Sequence, residues 1–158
     1  MSSAVRQAGS RYQVVTRRVP LASQQETDFV DITDVVNGVV RASGVCDGIV
    51  VVFTTHTTAG IVINEAEPLL LDDLRRRLEQ FAPRAARYDH DDLSVRTVNV
   101  EPNERMNGHA HCQRLMIGAS ETIPVADGVM LLGRWQRIFF LDLDGPRPRE
   151  VLIQIQGV

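Results

Sequence analysis

Four histidines, at positions 56, 90, 109 and 111, are the side chains of this sequence whose ordinary pKa lies nearest neutrality. They fall in separate segments: His56 ends an apolar run, His90 lies in a polar stretch, and His109 and His111 share the segment NGHAHCQRL. Three imidazoles brought together from different elements would suit a divalent metal, zinc first, with an open fourth position. Each ring that binds through one nitrogen needs an acceptor for the other, and Asp89, Asp91, Asp92 and Glu65 are candidates. Helical geometry chooses within the last pair. If 107–115 is helical, Asn107, His111 and Leu115 share a face and His109 turns about 200° away. His111 therefore joins the expected metal ligands His56 and His90, and His109 is assigned to the surface.

A second group could handle an anion. The chain has 17 basic residues, and all are arginine. A Schiff-base lysine and a P-loop lysine are thereby excluded. A phosphorylated ligand must be held by guanidinium, backbone N–H or a metal. Arg147 follows Asp144-Gly145-Pro146, a rigid turn that suits bidentate phosphate binding. Trp135 follows a glycine and could present a face to a flat heterocycle, with Gln136 beside it. A serine hydrolase is poorly supported, because Gly118-Ala-Ser120 lacks the second glycine of a nucleophile elbow.

These residues need elements to hold them. Alternation and β-branched runs predict strands over 11–21, 29–32, 48–55, 59–64, 120–125, 129–132, 135–142 and 150–156. The run 48–55 is almost continuously apolar and predicts a strand covered on both faces. Helical spacing predicts helices over 35–43, capped by Thr33 or Asp34 and stopped by Gly44, over 68–81 with proline in its first turn, and over 103–117. The stretch 82–106 is long and polar, a length that favours a functional or mobile loop, with room for a short strand within 93–100. Helices and strands do not alternate strictly, so the expectation is an α+β fold with a mainly antiparallel sheet system.

Size and composition bound the rest. A chain of 158 residues with 44% hydrophobic and 23% charged residues is most simply one domain. The expected division is a tail over 1–10 and a domain over 11–158. A net charge of −3 without a dense basic face argues against nucleic acid. The Arg75-Arg76-Arg77 run reads as a solvated helix face. Two cysteines without metal spacing, no secretory leader and no apolar run near the ~20 residues of a membrane helix point to a soluble, cytoplasmic protein.

One long ordered pattern goes further. Ser120, Ile123-Pro124-Val125, Gly128, Leu132-Gly133-x-Trp135-Gln136-x-Ile138 and Asp144-Gly145-Pro146-Arg147 resemble the YjbQ-like family, the secondary thiamine-phosphate synthases. The match continues upstream through His56-Thr57-Thr58-Ala59, Asn64-Glu65, Tyr88-x-His90, Asn107 and Ala110-His111, covering residues 12–157. It departs at Asp142, where the family usually carries glutamate. The resemblance implies two packed sheets, a homotrimer, and the joining of hydroxymethylpyrimidine diphosphate to a thiazole phosphate with release of pyrophosphate. It implies Glu65, Asp91, Asn107 and Arg147 as catalytic residues and Trp135, Gln136 and Arg147 as substrate contacts. Triple-histidine ligation favours zinc, whereas diphosphate chemistry favours magnesium. A metal-dependent hydrolase or lyase on a small phosphorylated or heterocyclic substrate, with Glu65 or Asp91 as base, is the alternative. A non-catalytic, ligand-binding trimer is the third reading.

Overall fold

A computed structural model describes residues 11–158, so the expected tail over 1–10 lies outside the described residues. The described chain forms eight strands, three α-helices and a single 3-10 turn, the α+β class expected. Strands β1 (Gln13–Ala22), β3 (Gly48–Phe53), β5 (Ser120–Ala126), β6 (Val129–Met130) and β8 (Pro148–Gly157) make one sheet in the order β1-β8-β3-β5-β6. Strands β2 (Asp28–Asp31), β4 (Ala59–Asn64) and β7 (Arg137–Asp142) make a second, with β7 central. Every pairing is antiparallel.

The two-residue period of β7 explains the layering. Ile138 and Phe140 point into the core between the sheets, where they meet Val50, Val52, Ile123, Val151, Ile153 and Ile155. Phe139 and Leu141 point the other way, against Ala110 and the leucines of a helix over Pro68–Phe81 (α2). The small sheet is thus buried on both faces, and the large one is covered on one. This corrects the reading of β3: Val50 and Val52 are buried, Ile49 and Val51 only partly so, and Phe53 is exposed. A continuous apolar run did not distinguish a doubly covered strand from one whose outer face is covered by no other element among the described residues.

Helix α1 (Thr33–Ser43) begins without the expected side-chain cap from Thr33 or Asp34. Instead the Asp31 carboxylate accepts from the Thr33 N–H at 2.9 Å and from its hydroxyl at 2.6 Å. Gly44 stops the helix in the left-handed conformation at φ 74°, as expected. Helix α2 keeps its expected bounds, with Glu67 accepting from the N–H groups of Leu69 and Leu70. Arg76 and Arg77 of the run on it are exposed, as a solvated face requires, whereas Arg75 turns inward, its guanidinium over the Phe29 ring and its Nε donating to the Thr27 carbonyl at 3.1 Å.

The segment 82–107 departs most from expectation. It holds a 3-10 turn over Asp89–Asp91 but no strand within 93–100. Helix α3 runs over Gly108–Arg114 only, shorter than the spacing predicts. Its start is fixed by Asp91, whose Oδ1 accepts from the N–H groups of Asn107 and Gly108, both at 2.9 Å. Asn103, in the left-handed region at φ 61°, keeps the helix from extending upstream. Asp91 is therefore a capping carboxylate. Asp91→Ala is expected to cost about 1–2 kcal/mol of stability, by analogy with lost N-caps, readable as a lower urea midpoint at unchanged m-value.

Candidate functional site

The end of the small sheet where β7 finishes opens into a cavity of about 640 Å³. His56, His90 and His111 all line it, together with Asn107, Arg147 and Arg149. The register of β4 against β7 explains the gathering. Ala59 pairs with Asp142, so the turn carrying His56 and Thr58 arrives beside the end of β7 and the Asp144–Arg147 turn. From the other side, α3 brings Asn107 and His111, and the 3-10 turn brings His90. The His90 and His111 rings lie 4.6 Å apart between centroids.

The same register places three expected residues away from this cavity within one chain. Asn64 pairs with Arg137, at the opposite end of the sheet. Glu65 follows Asn64, and Trp135 and Gln136 immediately precede Arg137. Five residues of strand put all three about 17 Å from the cavity within one chain. Trp135 is 60% exposed and stacks with the Arg134 guanidinium, 4.5 Å from its ring centroid. Gln136 caps its own turn by accepting the Gly133 N–H at 2.7 Å.

His109 is also corrected. Helical geometry does turn it away from His111, but inward: it is buried, and its Nε2 has no hydrogen-bond partner. The reading failed because the face of α3 that carries His109 and Gln113 meets the end of α2, where Gln113 Nε2 donates to the Leu78 and Ala82 carbonyls, instead of meeting water.

Two buried carboxylates organise the cavity's cations. Asp142, fully buried, takes a bidentate pair from Arg149, Nε to Oδ2 at 2.8 Å and Nη2 to Oδ1 at 2.6 Å. It also accepts from the Ser23 hydroxyl at 2.7 Å and the Asp144 N–H at 3.1 Å. Burial alone would raise its pKa, but these hydrogen bonds, Arg149 first, outweigh that and hold it below the ordinary value of 3.8. Asp144 Oδ2 accepts Arg147 Nη1 at 2.5 Å and Asn107 Nδ2 at 3.1 Å. Arg147 thus does pair across the turn, yet it still lines the cavity with further donors. Arg149 also keeps one Nη beyond those that meet Asp142 and Thr58.

Arg149 was missed by the sequence reading. A signal existed: Arg147 and Arg149 are two apart entering a strand, so both can serve one site. Arg96 and Arg105 were missed as well, and they differ in role. Arg96 spends its donors on the loop itself, on the His90, Val98 and Asn99 carbonyls and both Glu104 oxygens. Arg105 reaches the carbonyls of Asp144 and Pro146, tying the loop to the turn.

Within one subunit, two of the three imidazoles turn Nε2 towards a protein donor. His56 Nε2 accepts the Glu150 N–H at 3.1 Å, and His90 Nε2 faces Arg96 Nη1 at 3.2 Å. The His56 Nε2 lone pair is therefore engaged by a backbone donor. Among the described residues, no three His, Cys, Asp or Glu side chains are grouped to hold an ion.

Burial lowers the pKa of His56, His109 and His111, with Arg149, Arg84 and His90 respectively adding to the effect. The unfolded chain then binds protons that the folded chain refuses. Stability should be full above pH 6.5, the ordinary histidine value, and fall as pH drops below it towards the folded pKa values. Urea unfolding at pH 7.5 and at successively lower pH checks this; a flat profile down to pH 5.5 would refute it.

The comparisons with known proteins follow the same chain span. A UPF0047 protein of Methanothermobacter thermautotrophicus is 39% identical over 145 residues, covering 92% of this chain and 94% of that one. One of Archaeoglobus fulgidus is 38% identical over 134 residues, covering 85% and 95%. Among solved structures, a YbjQ-like protein of Sulfolobus solfataricus superposes with a TM-score of 0.83 at 32% identity, covering 94% of this chain and all of that one. A YjbQ/UPF0047 family protein of Clostridium acetobutylicum gives 0.77 at 37% identity, covering 88% and 98%. Two packed antiparallel sheets with three helices are thus a fold these chains share. The profile of the UPF0047 protein YjbQ-like family matches residues 17–158, and the chain belongs to that family.

Proposed function

We propose that the cavity binds a small phosphorylated substrate, and that the chain joins hydroxymethylpyrimidine diphosphate to a thiazole phosphate. One observation carries the reading: Arg147 and Arg149 line a single cavity with donors to spare, each backed by a buried carboxylate. Arginine held by its own counter-ion keeps its geometry while its remaining N–H groups face a ligand. In the transfer, the thiazole nitrogen forms a bond to the pyrimidine methylene carbon. The carbon–oxygen bond to the diphosphate breaks, and its electron pair leaves with that oxygen. Arg147 and Arg149 then stabilise the charge that develops on the leaving group. Neutral His56 and His111 add polar atoms without competing for the anion.

Divalent metal, zinc or magnesium, enters this reading as an assay variable. In the homotrimer the resemblance implies, Glu65, Trp135 and Gln136 would contribute only by covering a neighbouring subunit's cavity.

The test supplies both precursors to the purified chain, with magnesium, with zinc and with neither, and follows thiamine phosphate and pyrophosphate. Formation of both in equal amounts is expected. No thiamine phosphate above the protein-free rate under any condition would sink the transferase reading. Turnover of other phosphorylated substrates would then favour the hydrolase or lyase, and ligand binding without turnover the non-catalytic protein.

A further inference from the structure

Helix α2 lies across the outer face of the small sheet, yet none of its 14 residues is buried. Its leucines 71, 74 and 78 reach the apolar cluster of Phe29, Phe139 and Leu141 and stay partly open. The two layers are wedged apart, and a second cavity of about 280 Å³ lies in the gap. Phe29, Val62 and Leu141, one from each strand of the small sheet, line it. Leu78 and Phe81 line it from α2, and Met116 and Ile117 from the segment after α3. Phe81 and Met116 remain 52% and 66% exposed, so the apolar lining continues out to solvent. Atoms beside a gap forfeit the contacts that close packing would give them, and an apolar guest restores those contacts.

The polar residues that line this gap are Asn64 and Arg77, and both offer donors. Asn64 Oδ1 accepts the Glu65 N–H at 2.9 Å, which leaves the Nδ2 donors of that amide over. Arg77 gives Nη1 to Gln80 Oε1 at 2.7 Å and keeps Nε and Nη2 without a partner among the described residues. No carboxylate lines the gap. A hollow of hydrocarbon with a cation and an amide N–H at its edge complements an apolar tail that ends in an anion. We propose that the gap between α2 and the small sheet is a second binding site, taking a medium-chain carboxylate with its tail against Val62 and Leu141 and its head at Arg77. At about 30 Å³ for each water-sized group, the hollow takes about nine of them. Octanoate is therefore the probe. The site shares no lining residue with the cavity of Arg147 and Arg149, so it stands apart from the phosphate reading.

The experiment titrates straight-chain carboxylates from butanoate to dodecanoate into the whole chain and follows the methyl NMR signals of Val62, Leu78 and Ile117. Each added CH₂ should tighten binding by about fourfold until the hollow is full near octanoate, and no further. Octylammonium, with the same tail and the opposite charge, should bind about fivefold more weakly than octanoate, the worth of an exposed ion pair. Arg77→Ala should narrow that difference, and Arg77→Lys should restore most of it. Met116→Trp, which fills the mouth, should abolish the octanoate shifts. Three results would overturn the proposal: no methyl shift with octanoate, affinity that keeps climbing through dodecanoate, or octylammonium binding as tightly as octanoate. Methyl shifts that follow the concentration of the chain and ignore octanoate would make a second copy the occupant and overturn it as well. Should Met116→Trp not fold, Arg77→Ala on the exposed face of α2 decides with the chain-length series.

Discussion

Asp142→Ala is expected to cost about 3–5 kcal/mol of stability, the usual loss when one partner of a buried ion pair is removed. Asp142 faces the core between the sheets, on the same side of β7 as Ile138 and Phe140, and Arg149 lies on the Val151 side of β8. Their pair closes the apolar core where it meets the cavity. Removing the carboxylate strands a guanidinium whose side chain is only 5% exposed, orphans the Asp144 N–H, and leaves the Ser23 hydroxyl only its contacts with the Arg147 backbone. The double replacement Asp142→Leu with Arg149→Met should recover most of the stability while losing anion affinity. Urea unfolding of the three proteins checks the claim. A single-mutant loss below about 1 kcal/mol, the level of an exposed pair, would mean the network does not hold the site. The pH dependence has a definite sign. The Asp142 pKa is held below 3.8, so the pair's contribution is present above that value and lost as pH falls through the folded pKa.

Arg147→Ala should weaken pyrophosphate binding by about 10- to 100-fold, since a charge-assisted hydrogen bond is worth about 1.5–3 kcal/mol. Arg134→Ala is the matched control: it removes the same charge from the far end of the small sheet, where Arg134 covers Trp135. Calorimetry at physiological salt separates the two, because a long-range field effect is largely screened there and a direct contact is not. An equal loss in both variants would show that the chain senses net charge and has no anion seat.

The sequence made much of this visible, and the misses have physical causes. The bounds of α2 and β4 were readable because proline at a helix start and glycine or polar residues at strand ends are local signals. The convergence of His56, His90 and His111 was also expected and is found. What hid was whatever depends on register. Glu65, Trp135 and Gln136 look like site residues by pattern, and only the pairing of Asn64 with Arg137 shows that they stand at the other end of the sheet from the cavity within one chain. Arg149 and Asp142 hid for the opposite reason: they look like one more strand charge each until β7 and β8 bring them face to face. The length of α3 depended on Asp91, sixteen residues before Asn107, closing on its first N–H groups.

The side chains that give the cavity its positive charge are all guanidinium groups. Arginine holds its proton at any pH the fold survives, so its contribution to the cavity's charge is fixed, and the chain has no side-chain amine that could be acetylated or neutralised by base to weaken it. If the cavity takes a phosphate, variation of affinity with acidity would originate in the ligand's own second ionisation near pH ~6 or in the imidazoles and glutamates that line the cavity. Calorimetry in buffers of differing ionisation heat would assign it to one or the other.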